Sequence, residues 1–319
     1  MKLKSIDYLD ISDHFTEDEL MVQKTTREFV DNEIMPDIDQ HFHDGTFPKH
    51  LVKQFGELGM LGLNLPEKYG CAGMSHIAYG LLCQELERGD SGIRSFVSVQ
   101  GSLVMYPIYA YGSEEQRKKW LPQLASGEKI GCFGLTEPNH GSDPSGMLTN
   151  AKKVDGGYVL NGTKMWITNS TQADYLCLLA NTSEGKAHSN KSLIVVPTNT
   201  PGVSFSERLN KLGMRSSDTA QVFFDDVRVP QRNRIGEEGQ GFIYQMLQFQ
   251  EERLYAAAGQ LKAMEACINQ TVDYAREREI FGEPLLNNQV VHFRMAELQS
   301  EVEALRALTY SAVEEYIHG

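Results

Sequence analysis

Apolar residues recur at helical spacing through the first 129 residues of the chain. The clearest periods begin near five residues: Thr16, Pro48, Ser75, Leu103 and Ser113. Two of these starts have the spacing of a capping box, in which a side chain and the backbone exchange hydrogen bonds; the pairs are Thr16 with Glu19 and Ser113 with Gln116. The pattern predicts an N-terminal α-helical domain over residues 1–129.

From about residue 130 the pattern changes to short β-rich runs, which cover 130–135, 158–160, 165–168, 175–179, 193–196 and 221–224. Asp155-Gly156 and Asn161-Gly162 are typical of tight hairpin turns. Residues 164–168 alternate between apolar and polar side chains, as a strand with one buried face does. Few helical periods interrupt this region, so we expect an antiparallel β domain over residues 130–236.

Helical spacing returns after Gly241, over residues 242–278 and again over residues 289–317. This pattern predicts a C-terminal α-helical domain over residues 237–319, whose two long helices can form a bundle with the N-terminal helices. The predicted fold class is therefore α+β, with helices, then an antiparallel sheet, then helices.

Composition narrows the possible functions. Thirty basic and 43 acidic residues give a net charge of -13, which disfavours a nucleic-acid partner. No apolar run reaches the ~20 residues that span a bilayer, and residues 1–7 resemble neither a signal nor a transit peptide. We therefore expect no membrane partner and a cytoplasmic location, or the mitochondrial matrix in a eukaryote.

The five cysteines are scattered along the chain and form no C-x-x-C pair. This spacing indicates neither a disulfide framework nor a zinc site, and we expect no bound metal. Buried, reduced cysteines are the simplest interpretation.

Four segments combine residues that can carry chemistry. Residues 133–143 run from a strand into a Gly/Ser turn whose backbone N–H groups can hold an anion, although most such turns are only turns. Trp166 and Thr168 share one face of a strand and can stack on a flat ring, but a core tryptophan is the commoner case. Glu251 and Glu252 lie on a predicted helix, where spacing alone favours a solvated acidic pair. Residues 276–282 form a charged helix end and a glycine break, which need no ligand.

Together these segments resemble the acyl-CoA dehydrogenase family over essentially the whole chain. The motifs T-E-P-x-x-G-S-D, N-G-x-K-x-W-I-T-N, K-L-G-x-R-S-S-D-T and R-x-x-F-G with a downstream glutamine occur in the family's order. The resemblance implies α,β-dehydrogenation of an acyl-CoA thioester with bound FAD. It also implies electron transfer to an electron-transferring flavoprotein, a role in fatty acid or amino acid catabolism, and a homodimer or homotetramer.

The resemblance also implies site residues. Those expected along the flavin and its pyrophosphate are Phe133, Leu135, Thr136, Gly141, Ser142, Trp166 and Thr168. Those expected to reach the FAD of a neighbouring subunit are Arg278, Phe281 and Gln289. Arg253 resembles the arginine that faces the CoA moiety, and Ser142 is also expected to contact substrate.

The catalytic base is expected to be Glu252. Most of the family carries its glutamate on a late C-terminal segment, before which this sequence stops, so the C-terminal domain resembles an incomplete one. The isovaleryl and long-chain branches instead place the glutamate directly before an arginine, as Glu252 precedes Arg253.

A second resemblance, to glutaryl-CoA dehydrogenase, is carried by residues 69–117, and within them by residues 87–100. In that enzyme the residues that match Arg94 and Ser98 hold a distal substrate carboxylate, and a guanidinium suits a carboxylate. An ion pair between Arg94 and Glu87 explains the arginine equally well, so the substrate stays open between a plain or branched acyl chain and an ω-carboxyacyl chain. An acyl-CoA oxidase, or an inactive truncated scaffold that binds acyl-CoA, is the alternative function.

Overall fold

The structure, a computed structural model, describes residues 11–319. Its α-helices are α1 (Glu17–Phe29), α2 (Ile38–Asp44), α3 (Leu51–Glu57), α4 (His76–Gly89), α5 (Ser91–Ser98), α6 (Tyr106–Tyr111), α7 (Glu114–Ala125), α8 (Gly241–Glu277) and α9 (Gln289–His318). π-helical turns cover Val30–Ile34 and Val99–Met105. The strands are β1 (Gly131–Gly134), β2 (Asn150–Val154), β3 (Gly157–Thr168), β4 (Tyr175–Asn181), β5 (Lys191–Pro197), β6 (Val203–Phe205), β7 (Thr219–Pro230), β8 (Arg234–Ile235), β9 (Glu279–Ile280) and β10 (Glu283–Pro284). Short 3-10 turns cover Ile11–His14, Glu67–Tyr69, Pro144–Gly146, Gln231–Asn233 and Leu285–Asn287.

Both predicted capping boxes are present. Thr16 N donates to Glu19 Oε2 at 2.9 Å, and Glu19 N donates back to Thr16 Oγ1 at 3.3 Å. Ser113 and Gln116 exchange the same two bonds at 2.8 and 3.2 Å at the start of α7. These bonds satisfy N–H groups that have no partner within the first helical turn.

The strands β1–β8 form one sheet in the order β6-β7-β3-β2-β4-β5-β8, with β1 paired to β4. Most pairings are antiparallel, as predicted, but β1–β4 and the single β2–β4 pairing are parallel. The longest pairing joins β3 to β7, from Gly157 opposite Pro230 to Thr168 opposite Thr219. This pairing fixes both ends of β3.

The Asp155-Gly156 turn joins β2 to β3 as predicted, but the turn predicted at Asn161-Gly162 is wrong. Asn161 and Gly162 lie inside β3, where the register against β7 shifts between Leu160 and Gly162. Gly162 has φ 145°, and a Cβ there would lie 2.6 Å from Thr149 Oγ1. The glycine therefore serves a bulge and a close backbone approach rather than a turn.

The chain divides into two compact units, and the first comprises the described residues up to Ile34 with residues 75–89 and 253–319. Here α1 packs on α4 around Glu85, whose side chain is fully buried. Arg27 Nη2 lies 2.6 Å from Glu85 Oε1, and Arg88 Nε lies 2.9 Å from Oε2. Two guanidinium groups thus compensate the desolvation of this carboxylate.

The second unit comprises residues 35–74 and 90–252 and contains the large sheet. Its core joins helical side chains such as Val104, Leu121 and Leu124 to sheet side chains such as Cys177 and Val195. The predicted boundaries of three sequence domains, near residues 130 and 237, stay a prediction.

None of the five cysteines forms a disulfide. Four are buried, but Cys267 is exposed, so the prediction of burial was wrong at this residue, which lies on a solvent-facing stretch of α8. Over residues 11–319 the helices are too short or too polar to cross a membrane.

Candidate active site

The segment that follows β1 lies beside the end of β3 in the second unit. Met165 N donates to the Thr136 carbonyl at 2.7 Å, and Lys164 Nζ donates to the Leu135 carbonyl at 2.9 Å. The structure thereby places Phe133 of β1, with Leu135 and Thr136 directly after it, next to the end of β3 that carries Trp166 and Thr168; all five are predicted to line the flavin. Phe133 is buried, while the hydroxyl residues Thr136 and Thr168 are half-buried.

An ion pair between Glu137 and Lys164 holds the segment after β1 against β3. The sequence interpretation missed this pair. Lys164 Nζ lies 2.9 Å from Glu137 Oε1, and both side chains are buried. Glu137 also accepts the N–H of Leu148 at 2.7 Å and of Thr149 at 2.9 Å. Burial pushes the pKa of Glu137 up, but the Lys164 charge and these N–H groups outweigh it and hold the pKa below 4.5. Both residues stand inside the quoted motifs, but only the fold shows that they meet.

Trp166 corrects two expectations. Its indole is 58% exposed, so it is not a core tryptophan. The β3–β7 register shifts between Lys164 and Ile167, and Trp166 has φ 62°. Strict alternation would place Lys164 and Trp166 on one face, yet the lysine is buried and the indole points outward because of this bulge. A tryptophan held in the left-handed region is uncommon and indicates a functional constraint.

The third motif, residues 211–219, is bound to the residues that follow β3. Asn169 N donates to the Asp218 carbonyl at 2.9 Å, and the Asp218 carboxylate accepts Thr171 N and Oγ1, both at 2.8 Å. Lys211 Nζ donates to the Ser217 carbonyl at 2.9 Å, and burial lowers the pKa of Lys211 to about 8. Three of the four motifs therefore meet in the second unit.

Gly141 and Ser142 lie on an exposed bend. A Cβ added to Gly141 would meet no heavy atom within 4 Å, so the bend has open space on that side. Asp143 steadies the bend, because its Oδ1 accepts Ser145 N at 3.0 Å and Ser145 Oγ at 2.5 Å. These bonds lower the pKa of Asp143.

Arg94 and Ser98, the predicted contacts of a distal carboxylate, touch each other on α5. Arg94 Nη1 donates to Ser98 Oγ at 3.2 Å. One turn further on, Ser102 Oγ donates to the Ser98 carbonyl at 2.6 Å, and Gln248 of α8 donates its amide N–H to the Ser102 carbonyl at a short distance. Ser98 and Ser102 are buried, and Arg94 is half-buried.

The acidic pair on α8 is not the solvated pair expected from spacing. Glu251 is only 3% exposed, and its Oε1 accepts a hydrogen bond of 3.4 Å from Asn64 Nδ2. Glu252 is half-buried. The two carboxylates differ in exposure because adjacent helical residues project about 100° apart.

The remaining predicted residues lie in the first unit. Arg253 is exposed on α8, and Arg278 and Gln289 are exposed on either side of the β9–β10 hairpin. Phe281 lies at the tip of this hairpin with φ 52° and a fully exposed ring. Leu285 N donates to the Arg278 carbonyl at 2.7 Å and closes the hairpin.

The geometry of the second unit suits a flat heterocycle that carries an anionic group. An exposed indole beside half-buried threonine hydroxyls is able to stack on one face of such a ring and to hydrogen-bond its edge. The open bend at Gly141 offers backbone N–H groups to an anion.

Comparison with known proteins identifies relatives over almost the whole chain. Family models of the acyl-CoA dehydrogenase N-terminal, middle and C-terminal domains match residues 16–128, 132–227 and 239–319. An acyl-CoA dehydrogenase of Bacillus subtilis (strain 168) is 37% identical over 306 residues, which cover 96% of this chain and 81% of the relative.

Solved structures of acyl-CoA dehydrogenases are similar to this chain as well. The glutaryl-CoA dehydrogenase of Mycobacterium smegmatis in complex with FADH2 is 42% identical with a TM-score of 0.88, over 94% of this chain and 76% of that one. The butyryl-CoA dehydrogenase of Megasphaera elsdenii is 35% identical with a TM-score of 0.89, over 93% of this chain and 79% of that one.

Proposed function

Because the chain belongs to the acyl-CoA dehydrogenase family, we propose that it oxidises the α,β bond of an acyl-CoA thioester to the trans-2-enoyl-CoA, with Glu252 as the base. Family membership confirms the resemblance drawn from the four motifs and the predicted α+β fold. It also confirms an FAD-containing oxidoreductase that acts on acyl-CoA.

The residues proposed to hold FAD fit that cofactor. Trp166 is exposed near the end of β3, two residues before Thr168, and the residue before it, Met165, is bonded to the Thr136 carbonyl. Gly141 and Ser142 offer an open, exposed bend to the pyrophosphate. We also assign Arg278, Phe281 and Gln289 to the FAD of a neighbouring subunit, in a homodimer or homotetramer. When bound, FAD supplies the acceptor for the β hydrogen, which leaves as hydride.

Glu252 removes the α proton in this proposal. The observation that carries it is that Glu252 is the half-exposed member of the acidic pair on α8, whereas Glu251 is buried and engaged by Asn64. A carbon acid requires a base held within hydrogen-bond reach and partly shielded from water. A half-buried carboxylate on a long helix meets both needs, because substrate can approach it and the helix fixes its position.

Arg253 is exposed and offers a positive charge to the phosphates of CoA. A local arginine is useful because the whole chain carries a net charge of -13 and repels an anionic ligand at long range. We propose an electron-transferring flavoprotein as the acceptor of the electrons.

A second candidate substrate class is an ω-carboxyacyl-CoA such as glutaryl-CoA. The contact of 3.2 Å between Arg94 Nη1 and Ser98 Oγ favours it, because a guanidinium and a hydroxyl side by side are able to bind one carboxylate. The identity of 42% to a glutaryl-CoA dehydrogenase supports it too.

Anaerobic titration of the purified, FAD-loaded protein tests both proposals. Bleaching of the flavin absorption by butyryl-CoA or glutaryl-CoA supports the dehydrogenase. A higher rate with glutaryl-CoA that is lost in Arg94→Gln supports the carboxylate contact. A protein that takes up no FAD, or whose flavin neither thioester reduces, contradicts the proposal.

A further inference from the structure

The first turns of α8 bury a polar face. Gln245 is fully buried and Gln248 is 2% exposed, and both lie in the second unit. Buried helix faces are normally apolar, and glutamine is mostly found exposed. Gln250, two residues further on, is exposed, so the burial belongs to one face of the helix.

The hydrogen bonds of these two amides are incomplete. Gln248 donates from Nε2 to the Ser102 carbonyl, but its Oε1 has no partner among residues 11–319. Neither Nε2 nor Oε1 of Gln245 has a partner within the described part of the chain. Buried polar atoms are almost always paired, so three unpaired amide atoms within one turn indicate a ligand or water that is bound there.

Gln245 and Gln248 lie on the same face of α8 as Glu252. Residues 245, 248 and 252 have the i, i+3, i+7 spacing of one helix face. At a rise of ~1.5 Å per residue, Gln248 lies ~6 Å and Gln245 ~10 Å along α8 from Glu252. An acyl chain that runs along this face with its α carbon at Glu252 would bring its distal carbons to the two amides.

The residue that accepts the hydrogen bond of the Gln248 side chain is polar as well. Ser102 lies in the π-helical turn Val99–Met105, and its hydroxyl donates to the Ser98 carbonyl at 2.6 Å. π-helical turns occur frequently at functional sites. A plain alkyl tail would leave the three unpaired amide atoms of Gln245 and Gln248 without partners.

We propose that Gln245 and Gln248 form a recognition site for a hydroxyl group on the distal part of the acyl chain. This inference rests on the proposed function, since it needs the acyl chain to run from Glu252. The unpaired atoms are two amide oxygens and one NH₂ group, so a hydroxyl that donates to one oxygen and accepts from the NH₂ group pairs two of the three. A carboxylate has no proton to donate to the unpaired amide oxygens, so the site favours a hydroxyl over a carboxylate.

Isothermal titration calorimetry with CoA thioethers, which bind without reaction, tests the site separately from catalysis. The ligands are S-hexyl-CoA, its ω-hydroxy analogue and its ω-carboxy analogue, each added to the FAD-loaded protein. We expect the ω-hydroxy analogue to bind about tenfold more tightly than S-hexyl-CoA, and more tightly than the ω-carboxy analogue.

The double variant Gln245→Met/Gln248→Met keeps the side-chain size and removes the amides. It should bind S-hexyl-CoA and its ω-hydroxy analogue equally, while the control Gln250→Met keeps the tenfold preference. The thermal unfolding midpoint of the double variant shows whether it is folded. If it is unfolded, the affinities of the wild-type protein for the three ligands still test the hydroxyl site.

Equal binding of S-hexyl-CoA and its ω-hydroxy analogue to the wild-type protein overturns the inference, because the amides then hold only water. A preference that survives in the double variant overturns it too. Flavin bleaching by butyryl-CoA without a hydroxyl preference leaves the proposed function standing and removes this inference. A hydroxyl preference without flavin bleaching contradicts the proposed function and leaves the hydroxyl site standing.

Discussion

The ammonium of Lys164 lies 2.9 Å from the carboxylate of Glu137, and neither side chain reaches solvent to more than a few per cent. Lys164 also binds the carbonyl of Leu135, and Glu137 binds the N–H groups of Leu148 and Thr149. The pair therefore joins the loop after β1 to β3, just before Trp166. We infer that it sets the geometry of the proposed flavin site.

Removal of one charge should be costly. Glu137→Gln leaves the Lys164 ammonium buried without its counter-charge, so we expect the free energy of unfolding to fall by about 3–5 kcal/mol. Equilibrium unfolding in urea measures it. Glu28→Gln, which breaks an exposed pair with Lys24, is the control and should cost less than ~1 kcal/mol. A loss as small as the control's would show that the buried pair is not structurally important.

The lowered pKa of Glu137 predicts how the stability of the protein depends on pH. The pKa of Glu137 is held below its ordinary value of 4.5, so its contribution is present above pH 4.5 and is lost as the pH falls through the folded-state pKa. Urea midpoints of the wild-type protein should therefore drop below pH 4.5, and those of Glu137→Gln should drop less steeply. Parallel curves for the two proteins would contradict this assignment.

Trp166 should matter for FAD and little for folding. Because its indole is 58% exposed, Trp166→Ala removes few contacts within the chain, and its unfolding midpoint should stay near that of the wild type. Loss of the stacking surface should weaken FAD binding about tenfold, as measured by the recovery of free-flavin fluorescence on dilution. Leu58→Ala, at another exposed apolar residue of the second unit, should leave FAD binding unchanged. A normal FAD affinity in Trp166→Ala would place the flavin elsewhere.

Phe281 should matter for assembly. Its ring is fully exposed at φ 52°, and we assign it to the FAD of a neighbouring subunit. Sedimentation of the FAD-loaded protein should show that Phe281→Ala dissociates at a concentration about tenfold higher than the wild type, since it loses an aromatic side chain that the proposed subunit interface would bury. Leu20→Ala, also exposed in the first unit, should assemble normally. Unchanged assembly and FAD retention in Phe281→Ala would contradict the assignment.

Local signals were predictable from the sequence. The capping boxes at Thr16 and Ser113 and the turn at Asp155-Gly156 depend on residues at most three apart, and all three are present. The long helices α8 and α9 were predicted to within a residue or two, because their apolar spacing persists over many turns.

Features that depend on distant partners were not predictable. Asn161-Gly162 has the composition of a turn, yet pairing with β7 keeps it inside a strand. Lys164 and Glu137 are 27 residues apart, and no sequence period relates them. The exposure of Trp166 follows from a bulge that only the β3–β7 register reveals.

The most direct test of the proposed function compares Glu252→Gln with Glu251→Gln. In a stopped-flow experiment under anaerobic conditions, butyryl-CoA is mixed with each FAD-loaded protein and the flavin absorption is followed. We expect Glu252→Gln to bind FAD normally, but its flavin should be reduced about 10²–10⁴-fold more slowly than that of the wild type, because the α proton then has no base. Glu251→Gln should stay close to the wild-type rate. Flavin reduction at the wild-type rate in Glu252→Gln would contradict the assignment of Glu252 as the base.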